Sequence, residues 1–155
     1  MTIRDWLVKW FGDAFTMSLW IRYRYNGNHG GIMCDNAYSY GGDYFGIFGN
    51  YNYPHFQAPI YPYSEGLSAQ WWALPNDVWT HLCGTFNRYG YTSLYTNGVL
   101  AGRTTAYNGS VNQNTNIFLG WDRQNSQSAS GMYDEAKIWN RELSADEVKT
   151  IYNQR

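Results

Sequence analysis

Between Phe15 and Arg22 the chain alternates without a break. Phe15, Met17, Leu19 and Ile21 take one parity, and Thr16, Ser18, Trp20 and Arg22 take the other. A period of two predicts a β-strand with one fully apolar face. Ile32–Cys34 and Tyr44–Phe48 read as the next strands, parted by a Tyr-Ser-Tyr-Gly-Gly loop. Further on, Leu82, Gly84 and Phe86 fall on one side of a strand, and His81, Cys83 and Thr85 on the other. Asn97-Gly98 stands between two β-like runs and is the strongest short hairpin signal in the chain. Asn108–Asn116 is polar and predicts a loop. Asn50–Pro75 is the least regular stretch: it is rich in proline and carries Tyr51, Tyr53, Tyr61, Tyr63 and Trp71-Trp72.

The last quarter changes period. From Gly131 to Trp139 a strand is expected, with Asp134, Ala136 and Ile138 on one side and Glu135, Lys137 and Trp139 on the other. Ser144 then precedes Glu147 by the spacing of a capping box. Val148, Ile151 and Tyr152 recur at helical spacing, so a helix from Ser144 to about Asn153 is predicted, with one apolar stripe. No repeat of 20–50 residues is visible.

Composition agrees with an all-β chain. The 155 residues fit one domain, 1–155, large enough for its own core. There are 15 Tyr, 8 Trp, 7 Phe and 16 Gly, and only 15% of residues are charged, against about 25% in an average domain. The net charge of −1 without a basic block argues against nucleic acid as a partner. No apolar run approaches the roughly 20 residues that span a bilayer, so no membrane insertion is expected. No signal-peptide h-region opens the chain. Either a leader has been removed or the protein is not exported by that route, as for virion and phage tail proteins.

The closing string G-x-x-D-E-x-x-I-W-x-R-x-L-S-x-x-E-x-x-x-I-Y resembles the last segment of laminin-G-like and pentraxin-like domains, members of the concanavalin-A-like lectin/glucanase jelly rolls. Earlier blocks follow in the family's order. Phe15–Ile21 resembles its early core strand, Asp77–Phe86 its central W-x-H strand, Ser93–Leu100 the next hairpin, and Asn116–Gly120 the penultimate strand. The resemblance implies a two-sheet antiparallel jelly-roll sandwich with one short C-terminal helix. The family's first strand looks shortened or missing before Thr2, as in a domain cut from a larger multidomain protein. The pentraxin-like pattern also pairs a cysteine on the early strand, where this chain has Ser18, with the one matching Cys83. Cys34 lies on the following strand, and the sequence leaves open a Cys34–Cys83 disulfide or two buried thiols.

Candidate chemistry divides into metal, sugar and catalysis. The resemblance implies calcium ligands at Asp43, after Gly41-Gly42, and at Asp122 and Gln124, although Arg123 interrupts that loop and the family's denser acids are missing. Oxygen ligands from such loops suit calcium; two unrelated surface aspartates are the plain alternative. Asp134 matches an aspartate that related jelly rolls use for a structural calcium, or else bonds local amides as a turn residue. Sugar binding needs flat apolar faces and a few oriented polar groups. Trp71, Trp72, Trp121, Tyr61 and Tyr63 lie outside the core blocks and are the ligand-binding candidates. Catalysis is the poorer expectation. The E-x-D-x-x-E arrangement of the family's glycosidases is absent, and on a regular strand Asp134 and Glu135 point to opposite faces. His81 reads as a satisfied strand histidine rather than a base. Asn108-Gly109-Ser110 is a glycosylation sequon, relevant only in a eukaryotic secretory pathway.

The expected function is therefore recognition, without enzymatic activity. The expectation is a lectin-like or adhesion module that binds glycan or polysaccharide, extracellular or on a cell or virion surface. A structural or assembly domain of a larger surface or virion protein, without a sugar site, is the alternative. An atypical glycan-active enzyme is the third. An aromatic cluster with polar neighbours in a concavity distinguishes the first from the second. Facing carboxylates about 5–9.5 Å apart in a cleft would mark the third.

Overall fold

The computed structural model describes residues 2–3, 13–25, 27, 30–35, 45–50, 53–58, 66–69, 73–105, 117–120 and 129–155. In chain order the strands are β1 (Thr2–Ile3), β2 (Ala14–Tyr23), β3 (Gly30–Asp35), β4 (Gly46–Asn50), β5 (Tyr53–Ala58), β6 (Gly66–Ala69), β7 (Trp79–Asn87), β8 (Tyr91–Thr96), β9 (Val99–Thr105), β10 (Ile117–Leu119) and β11 (Gly131–Trp139), followed by helix α1 (Ala145–Tyr152). Two antiparallel sheets form a jelly-roll sandwich. One has the order β1-β10-β3-β4-β5-β6 and the other β11-β2-β7-β8-β9.

The alternation in β2 decides where the core sits. Phe15, Met17, Leu19 and Ile21 are fully buried between the sheets, as are Leu82 and Phe86 of β7, which pair with Leu19 and Phe15. Phe15 lies 5.1 Å from Phe45, 5.9 Å from Phe56 and 5.3 Å from Phe86, ring centre to ring centre. Such tilted and edge-on arrangements suit the aromatic quadrupole. Leu119 and Ile138 pack against this core but are only partly buried.

Asn97-Gly98 makes the hairpin between β8 and β9, both residues having positive φ (50° and 75°), as a type I′ turn requires. Two strands, β5 and β6, run through the stretch that the sequence pattern left irregular. Pro54 has no N–H to give, which hides β5 from a propensity reading, yet it sits in register opposite Gly49.

The helix begins as its sequence requires. The Ser144 hydroxyl accepts the Glu147 amide, and the Glu147 carboxylate accepts the Ser144 amide. Arg141 donates to the same carboxylate at 2.6 and 3.0 Å. Those Arg141 hydrogen bonds, with the Ser144 amide, hold Glu147 down to about 2. Behind the cap, the Thr16 hydroxyl donates to the Arg141 carbonyl and accepts the Leu143 amide. The connection from β11 to α1 is thereby clamped onto β2.

Of the two states left open for Cys34 and Cys83, the structure has the two buried thiols: they lie on different sheets, in β3 and β7. One expectation is corrected: the simple parity of β11 fails. Asp134 pairs with Trp20 but Lys137 pairs with Ser18, so β11 spends one residue more than β2 over this step. Glu135 takes a φ of 52° in the bulge. An inserted residue reverses the facing of everything beyond it. Asp134 therefore shares the outer face with Lys137 and Trp139 instead of opposing them.

Candidate functional site

The outer face of the five-stranded sheet is built in rows set by strand register. Asp134 lies beside Trp20, and Trp20 beside His81; one row on, Lys137 lies beside Ser18, and Ser18 beside Cys83. α1 covers part of this face. Val148 and Leu143 pack with Cys83 and Tyr95 in a second, smaller apolar cluster. Both faces of β7 are thus buried, which the sequence pattern did not indicate. Burial pushes the Cys83 thiol well above the ordinary range.

Beyond the apolar cluster, the end of α1 and the bulge of β11 leave a cavity of about 390 Å³. Ser18, Trp20 and His81 contribute from β2 and β7, and Asp134, Glu135 and Lys137 from β11. Ile151, Gln154 and Arg155 close the helix side. The bulge brings both Asp134 and Glu135 to this cavity, which corrects the expectation that they face apart.

Each carboxylate here has a cationic partner. Glu135 meets Lys137 at 2.6 Å, and Asp134 meets Arg155 at 3.2 Å. Asp134 also accepts the Glu135 amide at 2.9 Å, the local turn bond anticipated as the alternative to a calcium role. The Arg155 guanidinium lies over the rings of Trp20 and Trp79, at 4.8 and 4.4 Å from their centres. Tyr152 stacks on Trp20 at 5.6 Å and 23°.

His81 and Ser18 are the most buried polar groups of the cavity, each with 1% of its surface exposed. The His81 Nε2 lies 2.8 Å from the Ser18 hydroxyl, while its Nδ1 is buried and has no hydrogen-bond partner. Burial first, and the nearby Lys137 charge second, lower its pKa to about 4. The imidazole is therefore neutral at neutral pH.

The ligand candidates Trp71, Trp72, Trp121, Tyr61 and Tyr63 and the loop metal candidates Asp43, Asp122 and Gln124 lie outside the described residues. Among the described residues, no group of three or more His, Cys, Asp or Glu could hold a metal ion. Also among them, no helix is long and apolar enough to cross a membrane. The cavity residues were missed because a strand's outer parity reads as solvent-facing. One signal was available: Trp20 is a large aromatic on the parity otherwise held by Thr16, Ser18 and Arg22.

Residues 2–149 match a laminin-G-type model described as the concanavalin A-like lectin/glucanases superfamily, and the chain belongs to that family. No curated protein sequence matches. Among solved structures, the chain is similar to the heptameric SAP-like pentraxin of Limulus polyphemus, with a TM-score of 0.68 and 16% identity over 90% of this chain and 70% of that one. It is similar to domain 4 of the extracellular arabinanase AbnA from Geobacillus stearothermophilus, solved in complex with arabinotriose, with a TM-score of 0.69 and 19% identity over 90% and 66%. A third likeness is to the binding domain of botulinum neurotoxin DC in complex with SialylT, with a TM-score of 0.70 and 18% identity. That match covers 91% of this chain but only 35% of the neurotoxin domain. At these identities the likeness establishes the fold.

Proposed function

We propose that this domain is a non-catalytic glycan-binding module that works outside the cell, or on a cell or virion surface. The observation that carries the proposal is the cavity at the end of α1, where carboxylates, cations, an amide and a buried imidazole converge beside an indole. Saccharide sites need such a combination of oriented polar groups and aromatic surface. The arabinotriose-bound arabinanase domain adds weight as a module of the same fold. Binding is favoured over hydrolysis because both carboxylates of the cavity are committed to Lys137 and Arg155. Calcium enters the proposal only through Asp43, Asp122 and Gln124.

A glycan-array screen of the folded domain, with calcium and with chelator, tests this. The expected result is selective binding to one glycan class, with the bound glycan recovered uncleaved. Binding lost in chelator would assign calcium to the site. Binding to nothing on the array under either condition would leave the structural or assembly domain as the better account.

A further inference from the structure

We propose that Arg155 is a latch: its guanidinium masks an indole platform made by Trp20 and Trp79, and the form that binds saccharide is the one in which Arg155 has swung away. This rests on the glycan-binding function above and adds its regulation, with Trp79 as a further binding residue.

The platform follows from strand register. Trp20 pairs with His81 across β2 and β7, and Trp79 stands two residues before His81, so both indoles lie on the outer face as diagonal neighbours. Both are half-buried. The Arg155 guanidinium lies over the two rings, 4.8 Å from the centre of Trp20 and 4.4 Å from that of Trp79, and reaches the Asp134 carboxylate at 3.2 Å. It thus holds the flat apolar surface and one of the polar groups that a sugar would use. Release of Arg155 makes all three available, while Glu135 stays with Lys137. A single freed carboxylate can accept a sugar hydroxyl, but it is not the pair that glycoside hydrolysis uses.

The latch is lightly tethered. The last backbone hydrogen bonds at this end of α1 run from the Asn153 amide to the Lys149 carbonyl and from the Gln154 amide to the Ile151 carbonyl. Arg155 lies beyond them and is held by its side chain. The helix is anchored further back, where Val148 and Leu143 pack with Cys83 and Tyr95. Arg155 can therefore leave without undocking α1.

The closed and open forms are also close in free energy. The ion pair keeps 35% of the Arg155 side chain and 51% of the Asp134 side chain exposed, and an exposed pair contributes a factor of about 1.5–5. Each cation–π contact adds a factor of about 2–5 at such a site. Fixing the arginine rotamers opposes them by up to about thirtyfold. The balance lies within about tenfold of unity, so both forms are populated. Salt screens the exposed pair and shifts the balance toward the open form.

The test has a ligand-free arm and a binding arm, and thermal melts establish that each variant stays folded. In the first, indole ¹⁵N NMR follows Trp20 and Trp79 in the native domain and in Arg155→Ala, at about 0.02 and 0.5 M salt. The native Trp20 and Trp79 signals should move with salt toward their positions in Arg155→Ala, with the Val148 amide unmoved. Signals that ignore salt, or that move only together with Val148, would overturn the latch. In the second arm arabinotriose, cellotriose and lactose are titrated by calorimetry. At least one probe should bind Arg155→Ala about two- to fivefold more tightly than the native domain, as the competent fraction rises to one. The Arg155→Ala/Trp79→Leu double variant should bind that probe about fivefold more weakly than Arg155→Ala. A probe bound equally by the native domain and Arg155→Ala would overturn the masking, with glycan binding intact. Binding of no probe would overturn it too, while the array decides independently whether the domain binds glycans at all.

Discussion

His81 joins the chemistry of the outer face to the stability of the domain. Its ring is held by Ser18 and lies near Trp20 and Tyr152, at 5.4 and 6.0 Å. Burial and Lys137 keep it neutral down to about pH 4, whereas an unfolded histidine takes its proton near 6.5. Between those values the unfolded chain binds more protons than the folded one, so stability falls as pH falls. The His81 contribution is whole above about pH 6.5 and is lost toward pH 4, by up to ~3 kcal/mol. Urea unfolding at pH 7, 5.5 and 4.5 should show that decline, and His81→Gln should flatten it. An unchanged slope in the variant would assign the acid sensitivity to other groups. His81 was legible as a strand histidine on the non-core parity. Its half-satisfied state was not, because Ser18 lies 63 residues away and only strand pairing brings them together.

At the scale of elements, strand pairing is the strongest determinant. β2 and β7 place Ser18 directly opposite Cys83, where the pentraxin-like pattern has a cysteine pair. Antiparallel partners lie about 4.5–5.5 Å apart at Cα, inside the range a disulfide can bridge. Ser18→Cys should therefore cross-link to Cys83 during oxidative refolding. Closing so long a loop should stabilise the domain by about 2–4 kcal/mol, after the lost Ser18–His81 bond is subtracted. Thiol titration and a melt with and without reductant would measure both. Two free thiols after oxidation would show that the strands hold these positions too far apart or misaligned. The helix, by contrast, is local. Its capping box, apolar stripe and boundaries follow from ten consecutive residues, so they were legible without tertiary information. The β11 bulge was not, since an extra residue on one strand is defined only against its partner.

For the whole molecule, the spacing of the two sheets is set where Gly84 of β7 faces Phe56 of β5. A Cβ at position 84 would lie 2.2 Å from the Phe56 ring. Gly84→Ala must push the ring or the sheets apart, and should cost about 1–3 kcal/mol as overpacking. The melting temperature should fall by about 2–4 °C for each kcal/mol. An unaltered melt would mean that Phe56 finds a second position without cost. The same packing explains why the phenylalanines of β2 and β7 were recognisable as core. Their parity alone sends them inward once two sheets face each other.

Periodicity, turn chemistry and capping thus determined the alternating core strands, the Asn97-Gly98 hairpin and the closing helix. Each depends on neighbours within a few residues, where steric and hydrogen-bond preferences are already complete. Tertiary structure decided the rest. It buried the second face of β7 beneath α1, turned Asp134 and Glu135 toward one cavity, and kept Cys34 from Cys83. It also left one nitrogen of His81 without a partner. These outcomes depend on register, on one inserted residue and on where a helix comes to lie, and such relations exist only between segments far apart in the chain.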